Sequence, residues 1–459
     1  MPQHFDAIVI GAGQAGPPLA NRLSAAGQKV AIVEREHVGG TCVNNGCMPT
    51  KTMVASAYAA HLARRATEYG VKLEGGVAVD MALVKARKDR VVHNASHGVE
   101  SWLRSMNGLS IIRGDARFVS PGEIEVGSER LQAPRIFINV GGRPLIPSIP
   151  GIETVNALTN ETIMDLDTLP DHLIVLGGSY IGLEFAQMFR RFGAKVSVVE
   201  AAPRLVARED EDVSAAILDI LAHEGIDVRV ATSCKALRAE AGGVVAQVDT
   251  NGAAGEIKGS HLLVAIGRTP NTDRLGLQNA GIEVDERGFI KTDEHLHTTA
   301  DNVWALGDCN GRGAFTHTSY NDYEIVAANL LDHAGCSVND RIPTYGLFID
   351  PPLGRVGMTE REARASGRLV LIGKRPMSRV GRAVEKGETL GFMKILVDAN
   401  TQRILGAAIL GVSGDEAVHC ITATMYADAP YTVLKRAVQI HPTVSELIPT
   451  VLGELAPLT

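Results

Sequence analysis

An α/β fold with two Rossmann-like dinucleotide-binding domains and a C-terminal α+β domain is predicted from three observations. A buried-strand pattern, Phe5-Asp6-Ala7-Ile8-Val9-Ile10, runs directly into Gly11-Ala12-Gly13-Gln14-Ala15-Gly16. The same pattern returns without gaps at Ile174-Val175-Leu176-Gly177-Gly178-Ser179-Tyr180-Ile181-Gly182. From about Tyr345 strand and helix patterns alternate with no further phosphate-binding turn.

Each element of the first unit has a physical reason. The apolar run before Gly11 suits a parallel strand covered on both faces. The glycines let the backbone approach a pyrophosphate at a helix N-terminus. A helix pattern follows from Pro17 to about Ala26; Pro17 and Pro18 fit its first turn, where N–H groups have no intrahelical partner. A second strand, Lys29 to Val33, leads to Glu34, an acid about twenty residues past the glycines and placed to accept ribose hydroxyls. Residues 52–106 read as largely helical, and 110–140 as short strands with turns at Pro121-Gly122 and Gly127.

Gly141-Gly142-Arg143-Pro144, Pro147 and Pro150-Gly151 mark a crossing into the second unit. Residues 261–271, ending Gly267-Arg268-Thr269-Pro270-Asn271, mark the crossing back. The expected domains are therefore 1–150 and 273–344, two parts of one unit, with 151–272 between them and 345–459 after them. In the second unit the match to the first continues through Ala186, Gly193, Lys195 and Val196 to Glu200. Ser179 replaces the middle glycine and is small enough for binding to survive. Glu200 should accept ribose hydroxyls and repel a 2'-phosphate, favouring NADH over NADPH, with Arg204 and Arg208 close enough in sequence to weaken that preference. After the return, Asn302 to Leu306 reads as a strand ending at Gly307-Asp308, where a carboxylate can meet a sugar or ribityl hydroxyl; an ordinary strand-end turn would look the same.

Between the first fingerprint and the helical stretch lies Gly39-Gly40-Thr41-Cys42-Val43-Asn44-Asn45-Gly46-Cys47-Met48-Pro49-Thr50-Lys51. Residues five apart in an ideal helix are separated by about 7.5 Å of rise and face different ways, too far for a disulfide. A Cys42–Cys47 bond therefore needs a distorted backbone, and Asn44, Asn45 and Gly46 tolerate left-handed or irregular dihedrals. A helix starting at Cys47 puts Lys51 on the same face, favouring that sulfur as a thiolate. Two unequal sulfurs suit a two-electron relay. A structural disulfide or half of a zinc site are the alternatives; the zinc site ranks lower because no second Cys/His pair follows at ligand spacing.

Composition narrows the class. The 459 residues, 45% hydrophobic, are enough for several cores. Net charge of -7 without long charge runs indicates no nucleic-acid or membrane surface. No leader, no apolar run able to span a bilayer and only six cysteines point to a cytoplasmic protein in which any disulfide is catalytic. Cys234, Cys336 and Cys420 lack partner spacing and read as packing residues.

Taken in order over essentially the whole chain, Cys42 and Cys47 in their glycine-rich frame, the two fingerprints, Gly307-Asp308 and the terminal His441-Pro442…Glu446 resemble the flavin-dependent pyridine nucleotide-disulfide oxidoreductases. Met48-Pro49-Thr50-Lys51, Phe315-Thr316-His317…Asp322-Tyr323 and Pro351-Pro352-Leu353…Arg355-Val356-Gly357-Met358-Thr359-Glu360 are most similar to the mercuric-reductase-like branch, which includes the copper reductase of reactive-chlorine resistance. The resemblance implies FAD on Gly11, Gly13, Gly16, Glu34, Gly40, Thr41, Gly307 and Asp308, and NAD(P)H on Gly177, Gly182, Glu200 and Gly267. It implies that Cys47 is the sulfur against the flavin and Cys42 the one that meets substrate. Lys51 would lie near the flavin, paired with Glu184. His441, oriented by Glu446, would come from the second subunit of a homodimer as acid/base for Cys42. His317 and Tyr320 are candidates for supporting positions near the flavin, and Cys309 for a buried spectator thiol.

The expected function is transfer of electrons from NADH through flavin to the Cys42–Cys47 disulfide and on to a small-molecule disulfide or a thiophilic metal ion. A mercuric or copper(II) reductase, a dihydrolipoamide dehydrogenase and a non-catalytic flavoprotein platform are the alternatives. No resident metal site is expected. The chain departs from mercuric reductases in ending Gly453-Glu454-Leu455-Ala456-Pro457-Leu458-Thr459 without a cysteine pair and in carrying no N-terminal metal-binding domain. It departs from dihydrolipoamide dehydrogenases in having Gln439, not histidine, two positions before His441.

Overall fold

The computed structural model describes residues 1–458. Strand Ala7–Ile10 lies at the centre of a five-stranded parallel sheet between Ile136–Ile138 and Val30–Glu34, with Val303–Ala305 and Leu109–Arg113 at its edges. Strand Val303–Ala305 pairs with Ile136–Ile138, so the chain leaves this sheet, builds the second unit, and returns to complete the first. Because the strands are parallel, Glu34 at the end of its strand and Gly11, Asn139 and Leu306 just past theirs all lie on one side, the side where α/β sheets bind ligands.

The second unit repeats this plan. Strand His172–Leu176 is central between Lys195–Val199 and His261–Val264, with Ala157–Leu158 and Asp227–Arg229 outside. An antiparallel meander, Thr232–Glu240, Gly243–Thr250 and Ala253–Gly259, is inserted before the strand His261–Val264. The two crossing segments pair with each other: Gly142–Pro144 is antiparallel to Arg268–Pro270.

The C-terminal unit is a six-stranded antiparallel sheet, with strands in the order Thr344–Leu347, Leu353–Gly357, Ile404–Leu410, Phe392–Asp398, Val370–Pro376 and Ala456–Pro457. Helix Gly414–Tyr426 buries Ala417, Val418 and Ile421 in the core on this sheet.

Residues 52–106 are largely helical, as expected, in two helices, Cys47–Arg64 and Met81–Arg104, separated by a segment with one 3-10 turn, Ala66–Tyr69. Gly70, Gly75 and Gly76 there have φ of 76°, 83° and 75°, a left-handed backbone that ends a helix. No described helix is long and apolar enough to cross a membrane.

Candidate active site

A cleft of about 1010 Å³ opens where the first sheet's strand ends, the fingerprint helix of the second unit and the C-terminal sheet meet. Gly11, Gly13, Glu34, Gly40, Thr41, Cys42, Cys47, Lys51, Glu184 and Asp308, all singled out in the sequence, line it. Gly16 and Gly307 support it from behind. A side chain on Gly16 would meet the Gly11 carbonyl at 2.2 Å, and Gly307 N–H donates to Asp322 Oδ2 at 2.8 Å.

The cysteine loop is shaped by its neighbours. Gly39 and Gly40 have φ of 98° and 60°, and a Cβ on Gly40 would meet Gly13 Cα at 2.8 Å. The short helix Gly40–Asn44 thus rests directly on the first fingerprint. Cys42 lies in that helix and Cys47 starts the next, Cys47–Arg64. The break between them is irregular but not left-handed: Asn45 has φ -144° and Gly46 φ -133°, ψ -116°.

Both cysteines are free thiols and unequal. The Cys42 thiol is pushed up, first because it donates to the Cys47 sulfur and then by burial. Cys47 is held down to about 6, first by that hydrogen bond, against burial, with help from the Thr316 hydroxyl and the Lys51 charge. Thr316 Oγ1 lies 3.2 Å from Cys47 Sγ. Lys51 Nζ bonds Glu184 Oε2 at 2.5 Å and lies 4.5 Å from the Phe348 ring centroid, while Glu184 Oε1 accepts the Phe348 N–H at 3.0 Å. Glu184 belongs to the second unit's fingerprint helix, Tyr180–Phe192, so this ion pair joins the two units beside the sulfurs.

The residues present fit a long dinucleotide. Gly11 has φ 103°, and a Cβ there would lie 2.2 Å from the Asn139 carbonyl, so only glycine lets this turn pack against the end of the neighbouring strand. Glu34 is fixed by accepting from Ala12 N at 2.8 Å and Glu36 N at 2.9 Å. At the other end Asp308 is pushed up by burial, partly offset by Arg268, whose Nε lies 3.9 Å from Oδ2. Asn45 Oδ1, in the cleft wall, is buried without a protein partner. The second fingerprint is similar but open. Glu200 accepts from Gly178 N at 2.6 Å and Ala202 N at 2.7 Å, and Ser179 is exposed. Arg204 is turned away to Glu211 at 3.0 Å and Arg208 is exposed, so neither arginine pairs with Glu200. Gly177, Gly182, Glu200 and Gly267 lie outside the lining of the large cleft, around the second strand ends.

His441 Nδ1 and Glu446 Oε2 are 2.8 Å apart, but the His441 side chain is 81% exposed and does not line the cleft of its own chain. Val438 and Ile440 beside it are 99% and 79% exposed. His317 lines the cleft, donating from Nε2 to Thr344 O at 2.6 Å; Tyr320 instead faces Tyr323 and solvent. Cys309 is fully buried, with its thiol pushed up to about 12 by burial. Cys234, Cys336 and Cys420 are half-buried.

Sequence reasoning missed Asn139. Its Oδ1 accepts from Gly16 N at 3.1 Å and its Nδ2 donates to Leu306 O at 3.0 Å, tying the first fingerprint to the strand that ends at Gly307-Asp308. A polar residue closing the apolar run Ile136-Phe137-Ile138 was the available signal. The three carboxylates Asp210, Asp212 and Glu360 converge on Lys394 Nζ at 2.9, 2.8 and 3.1 Å, so an ammonium already fills the place a cation would take, and Arg355 and Lys374 pair with Asp210 and Asp212 at 3.4 and 2.6 Å.

Residues 5–322 match the family model described as pyridine nucleotide-disulphide oxidoreductase, and residues 343–452 match that family's dimerisation domain. A relative from Escherichia coli (strain K12), described as probable pyridine nucleotide-disulfide oxidoreductase RclA, is 38% identical over 96% of this chain and 97% of its own length. A mercuric reductase of Staphylococcus aureus is 32% identical over 91% of this chain and 76% of its own. The solved Cu(II) complex of the HOCl-induced flavoprotein disulfide reductase RclA from Escherichia coli superposes with a TM-score of 0.89 at 37% identity, covering 97% of this chain and 99% of that one. The chain belongs to the pyridine nucleotide-disulphide oxidoreductases. It is an FAD-dependent enzyme that uses NAD(P)H, not a flavoprotein platform without catalysis.

Proposed function

We propose that this oxidoreductase takes electrons from NADH and delivers them through Cys42 and Cys47 to a thiophilic metal ion, with Cu(II) the foremost candidate. The observation that carries the reading is the reduced cysteine pair: one sulfur poised as a thiolate near neutral pH, the other protonated, in a cleft between the two nucleotide units. Two soft sulfurs at one point are a natural ligand pair for a thiophilic cation. The likeness to a flavoprotein crystallised as its Cu(II) complex supports the same choice.

FAD would lie on Gly11, Gly13, Gly16, Glu34, Gly40, Thr41, Gly307 and Asp308, and the nicotinamide nucleotide on Gly177, Gly182, Glu200 and Gly267. The chemistry FAD supplies when bound is acceptance of a hydride from NAD(P)H and release of the electron pair to a disulfide. Lys51 places positive charge beside Cys47, and Glu184 keeps that ammonium oriented. Glu200, held by the Gly178 and Ala202 N–H groups and in no ion pair with an arginine, favours a free ribose hydroxyl and so NADH.

Cys42 keeps its proton at neutral pH, so a base has to remove it before that sulfur ligates a metal. His441 of the partner subunit is the proposed base, oriented by Glu446, in a homodimer that would cover the exposed Val438 and Ile440. With the Cys42 proton on His441 and Cys47 already a thiolate, the two thiolates give up two electrons, their sulfurs join as a disulfide, and two Cu(II) ions leave as Cu(I). The domain division 1–150 with 273–344, 151–272 and 345–459 is the arrangement this relay uses. Six cysteines in 459 residues are too few for a disulfide scaffold, which suits a reducing, cytoplasmic setting.

The test is anaerobic NADH oxidation by the purified enzyme with Cu(II), Hg(II) and a panel of small disulfides, beside Cys42→Ser. Rapid turnover with Cu(II) that the variant loses is the expected result. Turnover with a disulfide alone would reassign the acceptor, and dihydrolipoamide-type activity would show in the same panel.

A further inference from the structure

Glu209 belongs to neither fingerprint nor to the cysteine loop, yet two tyrosines of the cleft end on it. Tyr180 Oη donates to Glu209 Oε1 at 2.9 Å, and Tyr345 Oη donates to the same oxygen at 2.7 Å. Both rings line the cleft with Phe315. Phe315 and Tyr345 stack at 5.6 Å with planes 3° apart, and Tyr180 stands edge-on to them at 6.2 and 5.9 Å. The three rings come from three places: Tyr180 opens the second fingerprint helix, Phe315 precedes helix Thr316–Ala327, and Tyr345 is in the first strand of the C-terminal sheet. One carboxylate, 1% exposed, therefore fixes two of the three rings.

The other Glu209 oxygen is buried without a hydrogen bond and faces the Arg355 Nε charge at 4.0 Å; Arg355, also 1% exposed, reaches Asp210 Oδ2 at 3.4 Å. The Glu209 N–H donates to Val206 O at 2.7 Å, and Val206 N–H donates to Gly178 O at 2.9 Å. Gly178 N–H in turn donates to Glu200. The short loop from Glu200 to Asp210 thus carries the ribose-binding acid at one end and the anchor of the aromatic wall at the other.

We infer that Glu209 is a positioning residue that sets Tyr180 and Tyr345 as one wall of the cleft and couples that wall to the loop that holds the nicotinamide nucleotide. The inference rests on the reading that this nucleotide binds at the second fingerprint and reaches the cleft beside Tyr180. Fixing the rings before the ligand arrives removes their ordering cost from the binding step, so the effect belongs to affinity and not to the chemical step. A merely structural interdomain ion pair would change stability and leave affinity alone.

The experiment is a double-mutant cycle of Glu209→Gln and Tyr180→Phe in the FAD-loaded enzyme. NAD+ dissociation is read by calorimetry, and KM and kcat for NADH separately. Glu209→Gln should weaken NAD+ and raise KM about tenfold with kcat changed less than about twofold, and adding Tyr180→Phe should cost nothing further. Additive effects, or a lowered Tm with NAD+ affinity unchanged, would overturn the inference. If Glu209→Gln does not fold, Tyr180→Phe with Tyr345→Phe leaves the Glu209–Arg355 pair in place and must give the same KM shift; an unchanged KM overturns it. NAD+ affinity is read without any electron acceptor, so a wrong acceptor assignment would leave this result standing, and the converse also holds.

Discussion

In the first nucleotide unit Ala12 N–H donates to Glu34 at 2.8 Å, and in the second Gly178 N–H donates to Glu200 at 2.6 Å. A Cβ on Gly11 would meet the Asn139 carbonyl at 2.2 Å; one on Gly177 would meet the Ala265 carbonyl at 2.4 Å. The turns are thus built on one template, and they differ in what surrounds them. Asn139 clamps the first turn by its side chain, the cysteine helix packs on Gly13, and Arg268 closes the far end. The second has Ala265 in place of the asparagine and an exposed Ser179 in place of the glycine. A clamped, covered site suits a cofactor that stays; an open one suits a cofactor that arrives, reacts and leaves. The two sites meet beside Cys47, where the Lys51–Glu184 pair joins them.

The largest effect should come from Gly11→Ala, since the new methyl has no space and the backbone has φ 103°. The purified protein should lack flavin absorbance altogether. Gly177→Ala should instead keep the flavin and lose NADH binding, and loss of flavin from both would break the comparison. Next is Asn139→Ala, which leaves the buried Gly16 N–H without its partner at a cost of about 1–3 kcal/mol. Flavin released on ultrafiltration should then rise by about 10–100-fold in dissociation constant, with NAD+ affinity unchanged.

A third effect sits where the units touch. The Cys47 thiolate is present above about pH 6 and is lost as pH falls through that value. Lys51→Met removes a charge that holds Cys47 down, so its titration, followed by thiolate ultraviolet absorbance of the reduced protein, should move up. Glu184→Gln removes one that pushes it up, and should move it down. Shifts of one sign in both variants would contradict this geometry. The smallest effect is expected from Ser179→Gly, which restores the first unit's residue: KM for NADH should fall by about two- to threefold with flavin retention unchanged.

Much of this contrast was legible in the chain itself. The gap-free match from Ile174 to Gly182 exposes the shared template because a pyrophosphate turn tolerates few residue types. Cys42, Cys47 and Lys51 were legible because they are local in sequence. Asn139, Thr316 and Glu209 were not, because each acts on a group more than a dozen residues away that only folding brings near. Arg204 shows the same limit: its nearness to Glu200 in sequence does not show that it pairs with Glu211. The irregular Asn45-Gly46 break was anticipated in kind, while the left-handed residues proved to be Gly39 and Gly40, where the cysteine helix is pressed against Gly13.

The central claim is that Cys42 and Cys47 form a second electron store beside the flavin. Anaerobic reductive titration with dithionite of the FAD-loaded enzyme and its Cys42→Ser variant tests it directly. The native protein should take up about two electron pairs per chain, and the variant about one. Uptake of a single pair by both would contradict the claim and leave the cysteines outside the electron path.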